Sequence, residues 1–90
     1  MKKWYIYILK CKDNSLYTGI TTNIGRRLNE HNAGKGAKSL KNKLPVKLVY
    51  KEEYNSQNEA RKREIAIKSW KRKYKLKLIL NQKIDQNKFI

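Results

Sequence analysis

Apolar positions along the chain follow two periods. Trp4 to Cys11 (WYIYILKC) is dense in aromatic and β-branched residues. A turn-forming stretch, Lys12-Asp13-Asn14-Ser15, separates it from Leu16-Tyr17-Thr18-Gly19-Ile20. The pattern predicts a β-hairpin. Tyr7 and Tyr17 share a face of that hairpin only if paired positions sum to an even number, as when Cys11 stands opposite Ser15 around a three-residue loop. The period then changes. Asn23 offers a side-chain oxygen as N-cap, Ile24, Arg27, Leu28 and His31 recur at helical spacing, and Gly34 ends the helix. Residues 33–45 (AGKGAKSLKNKLP) lack periodicity and read as a basic loop, and residues 46–54 (VKLVYKEEY) read as a third strand.

Ser56-Gln57-Asn58-Glu59 matches a capping box, with Glu59 expected to reach back to the Ser56 amide. The helix it opens carries Ala60, Glu64 and Ile67 on one stripe, with Trp70 a turn further on. Lys71-Arg72-Lys73 reads as a solvated break, after which Leu76, Ile79 and Leu80 restart a short amphipathic helix. Trp4, Ile6, Ile8, Leu48, Trp70 and Leu76 are the expected core. The order β-β-α-β-α-α predicts an α+β fold, a small three-stranded antiparallel sheet flanked by helices. Residues 1–82 form the expected domain, and 83–90 a frayed C-terminal tail.

Charge changes the picture more than size does. In 90 residues, 23 Lys and Arg face 7 Asp and Glu, a formal net charge of +16, while hydrophobic residues still make up 39% of the chain. That is enough to fold. Each half of the chain carries +8, so the basicity belongs to the whole domain. A polyanion is the expected partner, nucleic acid ahead of an anionic membrane. One cysteine, Cys11, and one histidine exclude an intramolecular disulfide and a zinc site of four protein ligands. They fit a reducing, cytoplasmic setting. The longest apolar run, Trp4 to Leu9, is too short for a signal peptide core or a membrane span.

Three side chains sit where a plain amphipathic helix would place Leu or Ala: Arg27 and His31 on the first helix, and Glu64 on the second. Singly, each has an ordinary structural explanation in snorkelling, a helix-end histidine or an ion pair. Together with the tyrosines they suit phosphoryl transfer, which needs a cation on the phosphate oxygens, a carboxylate to hold a hard metal, and a proton acceptor. The chain has no Gly-rich nucleotide loop after a strand, no G-x-S-x-G elbow, and no carboxylate pair suited to glycoside chemistry.

Tyr5-Ile6-Tyr7, Tyr17-Thr18-Gly19 ten residues on, Arg27 ten residues after Tyr17, His31 in the same helix and Glu64 on a later one resemble the GIY-YIG nuclease domain. The resemblance spans about residues 4–80 and extends to the small stand-alone bacterial members of uncharacterised-protein-family type. It implies a metal-dependent endonuclease acting on DNA, ahead of RNA, that leaves a 5′-phosphate and a 3′-hydroxyl, with a role in repair or recombination. On this resemblance Tyr7 and Tyr17 line the active site, and one of them, or His31, takes the proton from the attacking water. Arg27 would stabilise charge on the scissile phosphate, Glu64 would hold a single Mg²⁺ or Mn²⁺, and Gly19 would let the strand pack closely beside the site. The chain departs from the name motifs at Tyr5, where they have Gly, and at Thr18, where they have Ile. Asn81 does not match the spacing of the asparagine that follows the metal glutamate in the excision-repair branch. Lys35, Lys38, Lys41 and Lys43 form the expected phosphate-contacting flap. The alternative is a non-catalytic DNA- or RNA-binding module of the same fold.

Overall fold

A computed structural model describes residues 2–88, with side chains through residue 82. The elements are β1 (Trp4–Lys10), β2 (Leu16–Thr21), α1 (Ile24–Asn32), β3 (Lys47–Tyr54), α2 (Gln57–Lys68) and α3 (Arg72–Lys88), with a short 3₁₀ turn at Lys38–Leu40. The expected element order is the one observed. β1 lies at the centre of an antiparallel sheet ordered β2-β1-β3. The expected tail, residues 83–90, lies outside the described side chains.

The hairpin loop is Lys12-Asp13-Asn14. The Cys11 amide donates to the Ser15 carbonyl at 2.9 Å and the Asn14 amide to the Cys11 carbonyl at 2.9 Å, with Asn14 left-handed at φ 71°. This is a type I turn closed by a left-handed residue, a three-residue loop that fixes the even register. Tyr7 therefore faces Gly19, and Leu9 faces Tyr17. Both tyrosines lie on one side of the sheet.

Local chemistry sets the helix ends as well. The Asn23 side chain accepts from the Arg26 amide at 3.0 Å. At the other end the Gly34 amide bonds to His31 O and the Lys35 amide to Glu30 O, with Gly34 at φ 78°. That paired closure is a Schellman motif, and its left-handed position calls for glycine. Ser56 caps α2 through the Glu59 amide at 3.2 Å. Glu59, however, reaches the Asn55 amide rather than that of Ser56. The box has thus slid back one residue, to the Asn55 amide.

The sheet is buried on both faces. On one, Ile6, Ile8 and Tyr50 pack with Ala60 and Ile67 of α2 and Ile79 of α3. On the other, Tyr7, Leu9 and Cys11 pack with Leu40 and Val46, and with Ile24 and Leu28 of α1. Burying a side chain such as Ile6 or Leu9 contributes about 1.5–3 kcal/mol.

Two expected core residues are not buried: Leu48 is 36% exposed and Leu76 43%. A bulge between Ile8 and Leu9 pairs Ile8 with Tyr50 but Leu9 with Leu48, making Val49 the extra residue. The bulge puts Leu48 out of phase with Tyr50, and Val49 packs on the α2 side instead. In α3 the inward stripe is Lys75, Leu78, Ile79 and Gln82, not Leu76 and Leu80. Gln82 donates to the Lys51 carbonyl on the β3 edge at 2.9 Å, which fixes the helix phase about one residue away from the apolar pattern.

Candidate active site

The side of the sheet that faces α1 carries a cluster of three rings. Tyr7 and Tyr17 centroids lie 6.3 Å apart, Tyr7 and His31 6.0 Å, and Tyr17 and His31 5.4 Å in edge-to-face contact. Gly19, directly opposite Tyr7, makes room for them. A Cβ there would stand 2.6 Å from Tyr7 Oη and 2.7 Å from Cζ, so the phenol lies across the bare backbone of β2.

His31 is 1% exposed and bonded at both ring nitrogens. Its Nδ1 accepts the Ala37 amide at 3.3 Å, and its Nε2 lies 3.0 Å from Tyr7 Oη. An imidazole whose Nδ1 accepts a backbone N–H carries its proton on Nε2. His31 therefore donates to the Tyr7 oxygen. Burial, then the nearby Arg27 charge, hold its pKa below 6.5 despite the opposing pull of Glu30, so the ring is neutral at pH 7.

Tyr7 is pushed up to about 12, first by burial and next by Tyr17; Arg27 pulls it back down and the charge of Glu64 adds to the rise. Glu64 belongs to α2, whose Ala60 and Ile67 pack on the other face of the sheet, and its charge is the smallest of these influences on Tyr7. Arg27 is half-buried and bonds Glu30 Oε1 at 3.1 Å. That bond is the main reason its pKa is raised, burial opposing and Tyr7 adding.

The Glu64 side chain is 12% exposed and meets one cation, Lys68 Nζ at 3.2 Å. No group of three or more His, Cys, Asp or Glu that could enclose a metal occurs among the described residues. A single inward carboxylate fits a hard divalent ion that takes its remaining ligands from water and substrate phosphate.

Of the loop lysines, Lys35, Lys38 and Lys41 are exposed. Lys43 is half-buried, 4.0 Å from Asp13 Oδ2, and its carbonyl accepts the Lys12 amide, so it ties the loop to the hairpin. Sequence reasoning missed three participants. Gly36 is one: a Cβ there would lie 2.1 Å from His31 Nδ1, so the loop backbone passes directly over the ring. Its only signal was a second glycine two residues after the helix stop. Glu30, which orients Arg27, and Lys51, opposite Tyr7 in the register, left no mark in the pattern.

A family model described as the GIY-YIG catalytic domain matches residues 3–77. The chain belongs to the GIY-YIG family. Within it, the UPF0213 protein SH2523 of Staphylococcus haemolyticus is 58% identical over 79 residues, covering 88% of this chain and 96% of the relative. The UPF0213 protein SAG0778 of Streptococcus agalactiae is 50% identical over 82 residues, covering 91% and 93%. The solution NMR structure of EF2693 from E. faecalis superposes with a TM-score of 0.64 at 38% identity, covering 93% of this chain and 90% of that one. That of the UPF0213 protein BH0048 from Bacillus halodurans gives 0.56 at 42% identity, covering 86% and 82%. Membership in this nuclease family agrees with a nucleic-acid partner, and no helix among the described residues is long and apolar enough to cross a membrane.

Proposed function

We propose that the domain, residues 1–82, is a metal-dependent endonuclease that hydrolyses phosphodiester bonds in DNA ahead of RNA, in the cytoplasm, in repair or recombination. The observation that carries this reading is the convergence of Tyr7, Tyr17 and His31 on one face of the sheet, with the Arg27 charge beside Tyr7 and His31. Tyr7 is the general base. His31 has both nitrogens engaged and its proton already on the Tyr7 side, so it supports the phenolate rather than taking the proton itself. The reacting form is the one in which Tyr7 has first lost its own proton to solvent: the attacking water gives its proton to the phenolate oxygen, the water oxygen adds to the phosphorus as the bond to the 3′-oxygen breaks on the opposite side, and that oxygen takes a proton from solvent, leaving a 5′-phosphate and a 3′-hydroxyl. Arg27, held by Glu30, presents its planar fork to the phosphate oxygens as charge builds there. Tyr17 packs edge-to-face against the imidazole and holds it against Tyr7. Glu64 would hold a single Mg²⁺ or Mn²⁺, which supplies Lewis-acid stabilisation of the phosphate. Lys35, Lys38, Lys41 and Lys43 line the loop over His31 and draw the phosphate backbone to the site.

The second reading, a non-catalytic nucleic-acid binder, is favoured by one observation, the Lys68 ammonium bonded to Glu64 in the manner of a structural ion pair. A cleavage screen over duplexes, flaps, junctions and single strands, with Mg²⁺ or Mn²⁺ and with chelator, separates the two. Metal-dependent cutting that Glu64→Gln abolishes in a folded protein supports the nuclease. If the wild type cuts nothing and Glu64→Gln unfolds the domain, Glu64 is structural and the binder reading replaces it.

A further inference from the structure

Away from the tyrosine cluster, α3 presents a second site. Trp70, just ahead of the helix, and Tyr74, Leu78 and Asn81 line an open groove of about 460 Å³. Tyr74 is 46% exposed although it is a large aromatic. The rings are dressed with cations: Arg63 lies 5.2 Å from the Trp70 centroid, and Lys73 and Lys77 lie 5.1 and 5.7 Å from that of Tyr74. The cation over Trp70 is itself anchored. Arg63 is clamped by Glu52, with Nε at 3.0 Å from Oε1 and Nη2 at 3.0 Å from Oε2, and Glu52 in turn accepts from the Tyr54 hydroxyl at 2.6 Å and from Tyr50. Residues 61–77 hold nine Lys or Arg and one acid, Glu64.

We propose that this groove binds an unpaired nucleobase of a single-stranded segment, with Trp70 and Tyr74 as the stacking surface and Asn81 facing the base edge. The occupant follows from charge complementarity. An apolar peptide would gain nothing from the lysines at its rim, whereas a strand offers a π-face for each ring and a phosphate for each ammonium. Lys73 and Lys77 cover Tyr74 in the free protein and swing from the ring face to the flanking phosphates when a base takes their place. The Asn81 amide carries both a donor and an acceptor, matching the edge of a base that has no pairing partner. Bases inside a paired tract are stacked on both faces and cannot use the groove. The site thus discriminates for substrates with single-stranded character, while the loop lysines attract any backbone.

The inference rests on nucleic acid being the partner, as proposed above, but not on cleavage, so its test is run in chelator. Binding of a ten-nucleotide oligothymidylate and of a blunt duplex of equal length is followed by fluorescence anisotropy for wild type, Tyr74→Ala and Tyr74→Phe. Losing the stacking of one base should make Tyr74→Ala weaken single-strand binding about five- to 150-fold. Duplex binding should change less than twofold, and Tyr74→Phe should retain the wild-type affinity. In a Trp4→Phe background, the fluorescence of Trp70 should be quenched by the oligothymidylate. Equal loss on both ligands, or no loss on either, overturns the groove while leaving the nuclease reading intact. Absence of binding to both nucleic acids in the wild type overturns the two together. A wild-type dimer that Tyr74→Ala converts to a monomer in sedimentation assigns the groove to a second copy of the chain and likewise overturns the proposal.

Discussion

Gly36→Ala isolates the loop's hold on His31, the partner of the proposed general base Tyr7. Gly36 lies outside the left-handed region, so alanine brings no backbone penalty and the substitution acts through space alone. Its Cβ would arrive 2.1 Å from His31 Nδ1 and 2.8 Å from Cγ and Cε1. Ordinary contact is about 3.5–4 Å, so ring and loop must part by more than an ångström. His31 cannot yield cheaply, because it is buried and bonded on both sides. Separation breaks the Ala37 to Nδ1 bond, worth about 0.5–1.5 kcal/mol, and overpacking adds about 1–3 kcal/mol. The expected loss is therefore about 2–4 kcal/mol, or on the order of 15 °C in Tm for a domain of this size. Gly34→Ala is the control: nothing lies within 4 Å of its Cβ, but φ is 78°, so it should cost about 1 kcal/mol of backbone strain. Thermal melts give the two losses. Nitrogen NMR of the single histidine gives the tautomer, protonated at Nε2 in wild type and in Gly34→Ala and altered in Gly36→Ala. If Gly36→Ala melts with wild type and its imidazole spectrum is unchanged, the loop does not hold His31.

Three further outcomes follow from the charges. His31 has its pKa depressed in the folded state, so it contributes stability above pH 6.5 that is lost as pH falls through the folded value; Glu52, held low by Arg63 and the Tyr50 and Tyr54 hydroxyls against its burial, adds a separate loss at more acid pH, below its ordinary value of 4.5. Tyr7 is raised to about 12, so its contribution is complete below pH 10 and disappears as pH climbs through 12; melts from pH 4 to 12 should decline at both ends, and Tyr7→Phe should flatten part of the alkaline limb. With Tyr7 as base, the cleavage rate should rise about tenfold per pH unit from 7 to 10, and a flat profile would assign the proton to another group. Lys68→Ala frees Glu64 from an ion pair of the kind worth ~0.5–1 kcal/mol, so Mn²⁺ binding followed by paramagnetic resonance should tighten about two- to fivefold. Unchanged binding would mean that Lys68 and the metal do not compete for Glu64.

What is legible in the sequence divides along local against non-local causes. The hairpin register follows from a three-residue loop, the end of α1 from Gly34 and the start of α2 from Ser56, all determined within a few residues. Arg27, His31 and Glu64 declared themselves because a polar group on a core-facing stripe breaks a periodic pattern. Leu48 and Leu76 misled for the opposite reason. Their burial depends on a bulge opposite Ile8 and on a Gln82 bond to a distant strand, and neither leaves a trace in apolar periodicity. The seat of Gly36 over His31 was hidden in the same way, since a glycine needed for space looks like one needed for a turn.

The same distinction explains how so basic a chain holds a defined site. With +16 overall, the position of any single lysine matters little to attraction, and most lysines here are exposed. Position matters for the few groups whose charge must act at one atom, and each of these is held by an uncharged or acidic neighbour: Arg27 by Glu30, His31 by the Ala37 amide, Arg63 by Glu52. Two of the chain's seven acids are therefore spent on orienting arginines, and Glu64 is kept largely buried beside Lys68. Lysine, a flexible point charge, supplies the field; arginine, a rigid fork, is placed where geometry decides. Exchanging Arg27 for Lys would conserve the charge and lose the fork, so binding to DNA should persist while the phosphate is no longer held in line with the base.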